Sequence, residues 1–310
     1  MPVKNYVALL LLLVSINLAF PCQAGHCPVQ HPRPQIWYED NNLGRAGDKP
    51  PDFISRFNTP EWQKAAQHID VYMIRLNVIK KVDDSFLIGT LLPSLQGRKL
   101  ALDVGGATLT QQGSRYTLFK HELQQLQRLR DLRIPVSYIS LQSPLSKAPR
   151  GGTYTQKKRL HDITDYAAAA RRIFPNAAIG IIDATPTHGE DWRTAYHALL
   201  ATKTVDYIHL DVPYELIGKT ISWEEVLGLE HYIESRGLDF GLLLTTRTGG
   251  YTSNQAYSSG VRGELYGYME HCGTPSAYII AAWFPYPETI VPYVTDLIDA
   301  VATKLNMHVK

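Results

Sequence analysis

The chain has 310 residues, 45% of them hydrophobic and 19% charged, and a formal net charge of +2. That length and apolar content support one large folded domain or two small ones, and the scattered Lys and Arg exclude a nucleic-acid footprint. Tyrosine is used heavily, at 18 residues, which in a nearly neutral chain suits neutral, ring-shaped ligands better than phosphates.

The N-terminus reads as an export signal. Lys4 supplies a positive start, and the run from Val7 to Phe20 is apolar except for Ser15 and Asn17. That run is too short to span a bilayer comfortably, and Cys22-Gln23-Ala24 offers a small residue before a cut. Residues 1–24 are therefore expected to be a signal peptide cleaved after Ala24, with an uncleaved anchor as the alternative. Residues 25–310 are expected to form the mature chain of a secreted or periplasmic protein, without stable membrane insertion after cleavage.

Eight apolar segments follow, alternating with helical stretches. The segments are Gln35–Asp40, Val71–Val78, Lys99–Val104, Val136–Gln142, Ala178–Asp183, Val205–Val212, Phe240–Thr246 and Ser276–Trp283. Thr59-Pro60-Glu61 gives an N-cap followed by a first-turn proline. Ser222 and Glu225 have the spacing of a capping box, and Gly237 closes that helix. Leu123, Leu126, Leu129 and Leu132 mark an apolar stripe on another helix. Eight strand–helix units over the mature length predict a single-domain α/β fold, a closed (β/α)8 barrel. The open doubly wound sheet is less well matched, because Gly105-Gly106 does not make a dinucleotide-binding turn.

In such a barrel the chemistry lies at the C-terminal ends of the strands. The alternation of side chains gives the residues expected there. The first strand offers Trp37 and Glu39, the second Arg75 and Asn77, and the third Asp103. The fourth offers Tyr138, Ser140 and Gln142, and the fifth ends in Asp183. The sixth supplies His209 and Asp211, with Glu215 in the loop beyond. The last two give Thr245, Thr246, Arg247, Trp283 and Tyr286. Unpartnered buried carboxylates cost several kcal/mol each, so Arg75 is expected to hold Asp103 on the neighbouring strand.

Asp183, Asp211 and Glu215 are the expected catalytic carboxylates. Crowding them separates their proton affinities, which suits the acid-plus-carboxylate pair of glycosidic hydrolysis. Whether Asp183 or Asp211 partners Glu215 is left open. His209 is expected to orient Asp211, the alternative being a core histidine. Trp283 offers a flat face for a sugar ring. Glu39, Arg75, Asn77, Asp103, Tyr138, Gln142, Arg247 and Tyr286 are expected to contact substrate.

On Asp183, Asp211, Glu215 and Trp283, and on the architecture of the whole mature chain, the sequence resembles the secreted TIM-barrel glycoside hydrolases in general. The resemblance implies a reaction class and no particular family. The ends of the fourth and seventh strands carry Gln142-Ser143 and Thr245-Thr246 rather than the glutamates of the largest clan. It implies a polysaccharide or oligosaccharide as partner, with no cofactor, no metal and a monomeric state. Two alternatives remain: a non-catalytic polysaccharide-binding barrel, and a metal-dependent barrel hydrolase such as a deacetylase or phosphodiesterase, which would need histidine pairs or clustered ligands.

Export places the cysteines in an oxidising compartment. Cys27 lies just before the first strand and Cys272 just before the eighth, and these strands are neighbours in a closed barrel. A Cys27–Cys272 disulfide is therefore expected. Intact mass after alkylation should show no reactive thiol in the mature protein before reduction and two after it. Two alkylated thiols before reduction would refute the bridge.

Overall fold

A computed structural model of the chain describes residues 33–40, 55–105, 115–145, 155–184 and 192–308. Eight parallel strands close on themselves in chain order: β1 (Gln35–Asp40), β2 (Val71–Arg75), β3 (Lys99–Val104), β4 (Val136–Gln142), β5 (Ala178–Ala184), β6 (Tyr207–Asp211), β7 (Asp239–Leu244) and β8 (Ala277–Ala281). The barrel shuts where Gln35–Glu39 of β1 pairs with Ala277–Ala281 of β8. Helices fill the connections. The larger ones span Arg115–Asp131, Gln156–Ile173, Trp192–Ala201, Trp223–Glu234, Asn254–Glu270 and Tyr293–His308. The expected (β/α)8 barrel is the fold observed.

The helix starts follow their capping chemistry. Thr59 Oγ1 accepts from the Trp62 N–H, and Ser222 and Glu225 bond each other reciprocally at the start of the Trp223–Glu234 helix. Two differences bear on the site. The second strand stops at Arg75, and the chain then turns through short helical pieces from Leu76 to Leu95. Asn77 therefore lies exposed on the first of these pieces instead of pointing into the barrel. After β7 a short helix, Arg247–Thr252, was not anticipated, and Thr246 caps it.

Each strand is buried on both faces. Outward side chains such as Ile36, Tyr38, Tyr72, Ile74, Leu100, Leu102, Ile179, Ile181, Ile208 and Leu210 form the large core under the helices. Inward side chains fill the barrel itself: Trp37, Val71, Met73, Ala101, Ile182, Tyr207, Leu243 and Ile279. Its lower half is an aromatic plug. The Trp37 ring lies 4.6 Å from Tyr138, 4.6 Å from His209 and 5.8 Å from Tyr207. Two glycines make room for it. A Cβ on Gly180 would sit 2.2 Å from the Tyr207 ring, and one on Gly241 would sit 2.5 Å from His209.

Several polar groups outside the barrel are paired. Asp70 accepts from the Ile36 N–H at 2.8 Å and Asp206 from the Ile179 N–H at 2.7 Å, tying turns at the N-terminal end of the barrel to the preceding strand. Glu230 accepts from the Tyr268 hydroxyl and the Thr274 N–H, fixing the turn before β8. Cys272 lies at this end, directly after the Asn254–Glu270 helix. Cys27 is outside the described residues, so the bridge between them stands as a proposal.

The most deeply buried ion pair lies behind β1. Asp40 is next to inward-facing Glu39 and so points outward. It accepts from Arg56 and from the Tyr72 hydroxyl, while the guanidinium covers Phe57 at 4.7 Å. Arg56 and Asp40 are both fully buried. Removing one member of such a pair strands the other charge. Arg56→Met should lower the unfolding free energy by about 3–5 kcal/mol, read from urea denaturation. The added cost of Asp40→Asn in that background should be smaller than its cost alone.

Candidate functional site at the C-terminal mouth

The top inward layer of the barrel carries the polar residues that the sequence places there, but not all of them. Glu39 from β1, Arg75 from β2, Asp103 from β3, Gln142 from β4 and Asp211 from β6 point inward above the apolar layers, and Trp283 follows β8 on the same parity. Arg75 is the centre of this group. Its Nε donates to Asp103 at 2.8 Å and its Nη2 to Gln142 at 2.9 Å. Glu39 lies 3.7 Å from the same Nε, and the guanidinium sits 5.6 Å from the Trp283 ring centre. Burial works against the Arg75 charge, but Asp103, Glu39 and then Asp211 outweigh it and raise its pKa above the ordinary value. The expected Arg75–Asp103 pair is present.

Asp183 does not join this layer. It pairs in register with outward-facing Leu210 and follows outward-facing Ile181, so its carboxylate lies on the helix side of β5. There Asp183 accepts from the Leu145 N–H at 2.5 Å and holds the turn after β4. Buried Arg159 grips the same turn by donating to the Leu145 carbonyl at 2.8 Å. The strand extends one residue past the expected end, to Ala184, and Ala184 is the residue that aligns with Asp211. Asp183 and Asp211 therefore point to opposite sides of neighbouring strands, although both carboxylates bear on the buried Tyr196 hydroxyl.

Glu215 sits on the rim, on a one-turn 3-10 helix spanning Tyr214–Leu216. It accepts from the Thr246 hydroxyl and from the Thr248 N–H, which caps the start of the Arg247–Thr252 helix. Burial pushes its carboxyl up, but the hydrogen bonds from Thr246 and the backbone N–H groups win, and the net shift is downward. Arg247 lies exposed beside it. Tyr286 packs against the outer core and donates its N–H to Gly250.

His209 and Tyr138 face inward but lie in the aromatic plug below the mouth. Burial depresses the His209 pKa to about 3, so the ring is neutral. No hydrogen bond links its Nδ1 to any described residue, and the expected orientation of Asp211 by His209 does not form.

One residue near the site was missed. Glu264 is completely buried on the Asn254–Glu270 helix and accepts from the Thr245 N–H at 2.8 Å. Burial holds its carboxyl well above the ordinary range, and Asp211 and Glu215 add to that push. The signal was available: Glu264 interrupts the apolar stripe of Tyr257, Val261, Leu265 and Tyr268.

Because the Glu215 pKa is lowered on folding, its ionised form contributes stability that is present above the unfolded value of about 4.3 and lost as the pH falls through the folded value. The stability margin of the wild type over Glu215→Gln should be full near neutral pH and shrink toward zero on acidification, by urea midpoints across that range. A margin that widened in acid would contradict this role.

No protein-family model and no curated relative matches the chain. Solved structures do. A protein assigned as an α-L-fucosidase from Bacteroides thetaiotaomicron superposes with a TM-score of 0.55 at 9% identity, covering 93% of this chain and 98% of that one. The xylanase of Thermoanaerobacterium saccharolyticum, in complex with xylotriose, gives 0.54 at 11% identity over 82% and 89%. A D-psicose 3-epimerase with D-fructose gives 0.53 at 12% identity over 89% and 100%. What these likenesses show is the fold, a TIM-type (β/α)8 barrel.

Proposed function

We propose that the chain is a glycoside hydrolase whose site is the C-terminal mouth of the barrel and whose substrate is a neutral polysaccharide or oligosaccharide. The observation that carries this is the grouping of Glu39, Asp103 and Asp211 around Arg75, beside Trp283, at the barrel end that hosts chemistry. Asp103 is committed to Arg75 at 2.8 Å. Glu39 and Asp211, from β1 and β6, then supply the two carboxyls that glycosidic cleavage needs. Glu39, nearer the guanidinium, takes the ionised role of nucleophile or base. Asp211 acts as the acid that protonates the leaving oxygen. Its charge bears on Arg75 less than those of Asp103 and Glu39, and it lies near the buried carboxyl of Glu264. Trp283 lends a ring face to the sugar.

The same reading makes the protein an exported monomer. Its leader, residues 1–24, lies outside the described residues. Among those described, no helix is long and apolar enough to cross a membrane.

Glu39→Gln and Asp211→Asn should each lower kcat about 1,000-fold on a hydrolysed glycan while oligosaccharide binding by calorimetry persists. Asp183→Asn should instead lower stability and leave kcat within a few-fold. Full turnover in both mouth variants would sink the assignment. Binding without hydrolysis across a broad glycan panel would make the barrel a polysaccharide-binding protein, and activity lost in EDTA and restored by added metal would favour a metal-dependent hydrolase.

A further inference from the structure

A second cavity, of about 480 Å³, opens at the opposite end of the barrel. It enters among the first residues of β1, β5, β6, β7 and β8, including Gln35, Ala178, Tyr207, Asp239 and Ala277. Its inner wall is the aromatic plug of Trp37, Tyr138, Tyr207 and His209. Glu234 and Asp239 stand at its rim.

The polar atoms of the three large rings each have one partner. Trp37 Nε1 donates to Gln35 at 2.9 Å, the Tyr207 hydroxyl bonds Ser140 at 2.7 Å, and the Tyr138 hydroxyl accepts from Lys99 at 3.1 Å. What these rings offer a ligand is therefore apolar surface. One polar side chain in the wall is not committed. His209 is 2% exposed, and its Nδ1 has no partner among the described residues.

The rim carries charges of both signs. Asp206 is occupied by Arg171 at 2.8 Å, Arg33 stands at the entrance, and the Lys99 ammonium is held at the Tyr138 hydroxyl. Glu234 and Asp239 have no ion-pair partner among the described residues. Burial raises the Glu234 pKa, His231 on the same helix pulls it down, and Asp239 raises it further; a cation between the two carboxylates would favour their charged forms.

We propose that this cavity is a binding site for a small organic amine. The apolar body of the ligand lies against Trp37, Tyr138, Tyr207 and His209, and its ammonium lies between Glu234 and Asp239. The site is independent of the glycosidase reading, because it shares no residue with the mouth.

Phenethylamine, its neutral isostere 2-phenylethanol and the anion 3-phenylpropionate test this by isothermal titration calorimetry on the mature protein. Phenethylamine should bind at one site, at least tenfold tighter than the alcohol, with the anion weakest. The double variant Glu234→Gln/Asp239→Asn should lose at least tenfold in amine affinity. Asp239 is exposed and Glu234 half-buried, and a circular dichroism melt confirms that the variant folds. Asp211→Asn, at the other end of the barrel, should bind the amine as the wild type does. Equal affinity for amine and alcohol, no binding at 10 mM amine, or unchanged affinity in the rim variant would each overturn the proposal. Loss of binding in Asp211→Asn would do so too, by placing the amine in the mouth.

Discussion

In a closed barrel every strand has two buried faces, so the parity of a residue along its strand decides whether it reaches the barrel axis or the helix layer. Neither face is solvent, and a carboxylate on either one must find a partner. The chain meets this demand on both sides. Glu39 and Asp40 are adjacent in β1 and go opposite ways, one toward Arg75 in the barrel and the other to Arg56 and Tyr72 behind it. Asp183 and Asp211 repeat the division on β5 and β6, the first holding a turn from outside and the second facing the axis.

The mouth is organised by charge more than by shape. A single guanidinium, Arg75, stands among Asp103, Glu39 and Asp211, and its own burial would be unfavourable without them. The surrounding shell adds no further charge where it can avoid doing so. Glu264 is pushed toward its neutral form by burial, and His209 below is held neutral for the same reason. The charges of the inward layer are thus gathered around Arg75, while those behind the strands, such as Asp40 with Arg56, are paired separately.

The fold was legible because its signals are local and repeated: eight apolar runs, Thr59-Pro60 and the Ser222–Glu225 box each announce an element on their own. The inward layer was legible wherever a strand kept its expected length, as with Glu39, Asp103 and Gln142. It failed where a strand end moved or where parity went the other way. β2 stopping at Arg75 puts Asn77 on a helix, and the alternation of β5 turns Asp183 outward with Ile181, so that Ala184 is the residue aligned with Asp211. Depth along the axis was the other gap. Tyr138 and His209 have the right parity, but the taper and stagger of the barrel put them in the plug, a property of register across all eight strands that no single strand displays. Buried Arg56 lies in a four-residue 3-10 turn with no periodicity to mark it.

Glu215 links two parts of the rim that the chain keeps separate. Its carboxylate belongs to the turn after β6, while the groups it binds, the Thr246 hydroxyl and the Thr248 N–H, belong to the helix after β7. The two connections are thereby braced like adjoining staves under one hoop. On that quarter of the barrel, one carboxylate joins the lip of the mouth across two connections.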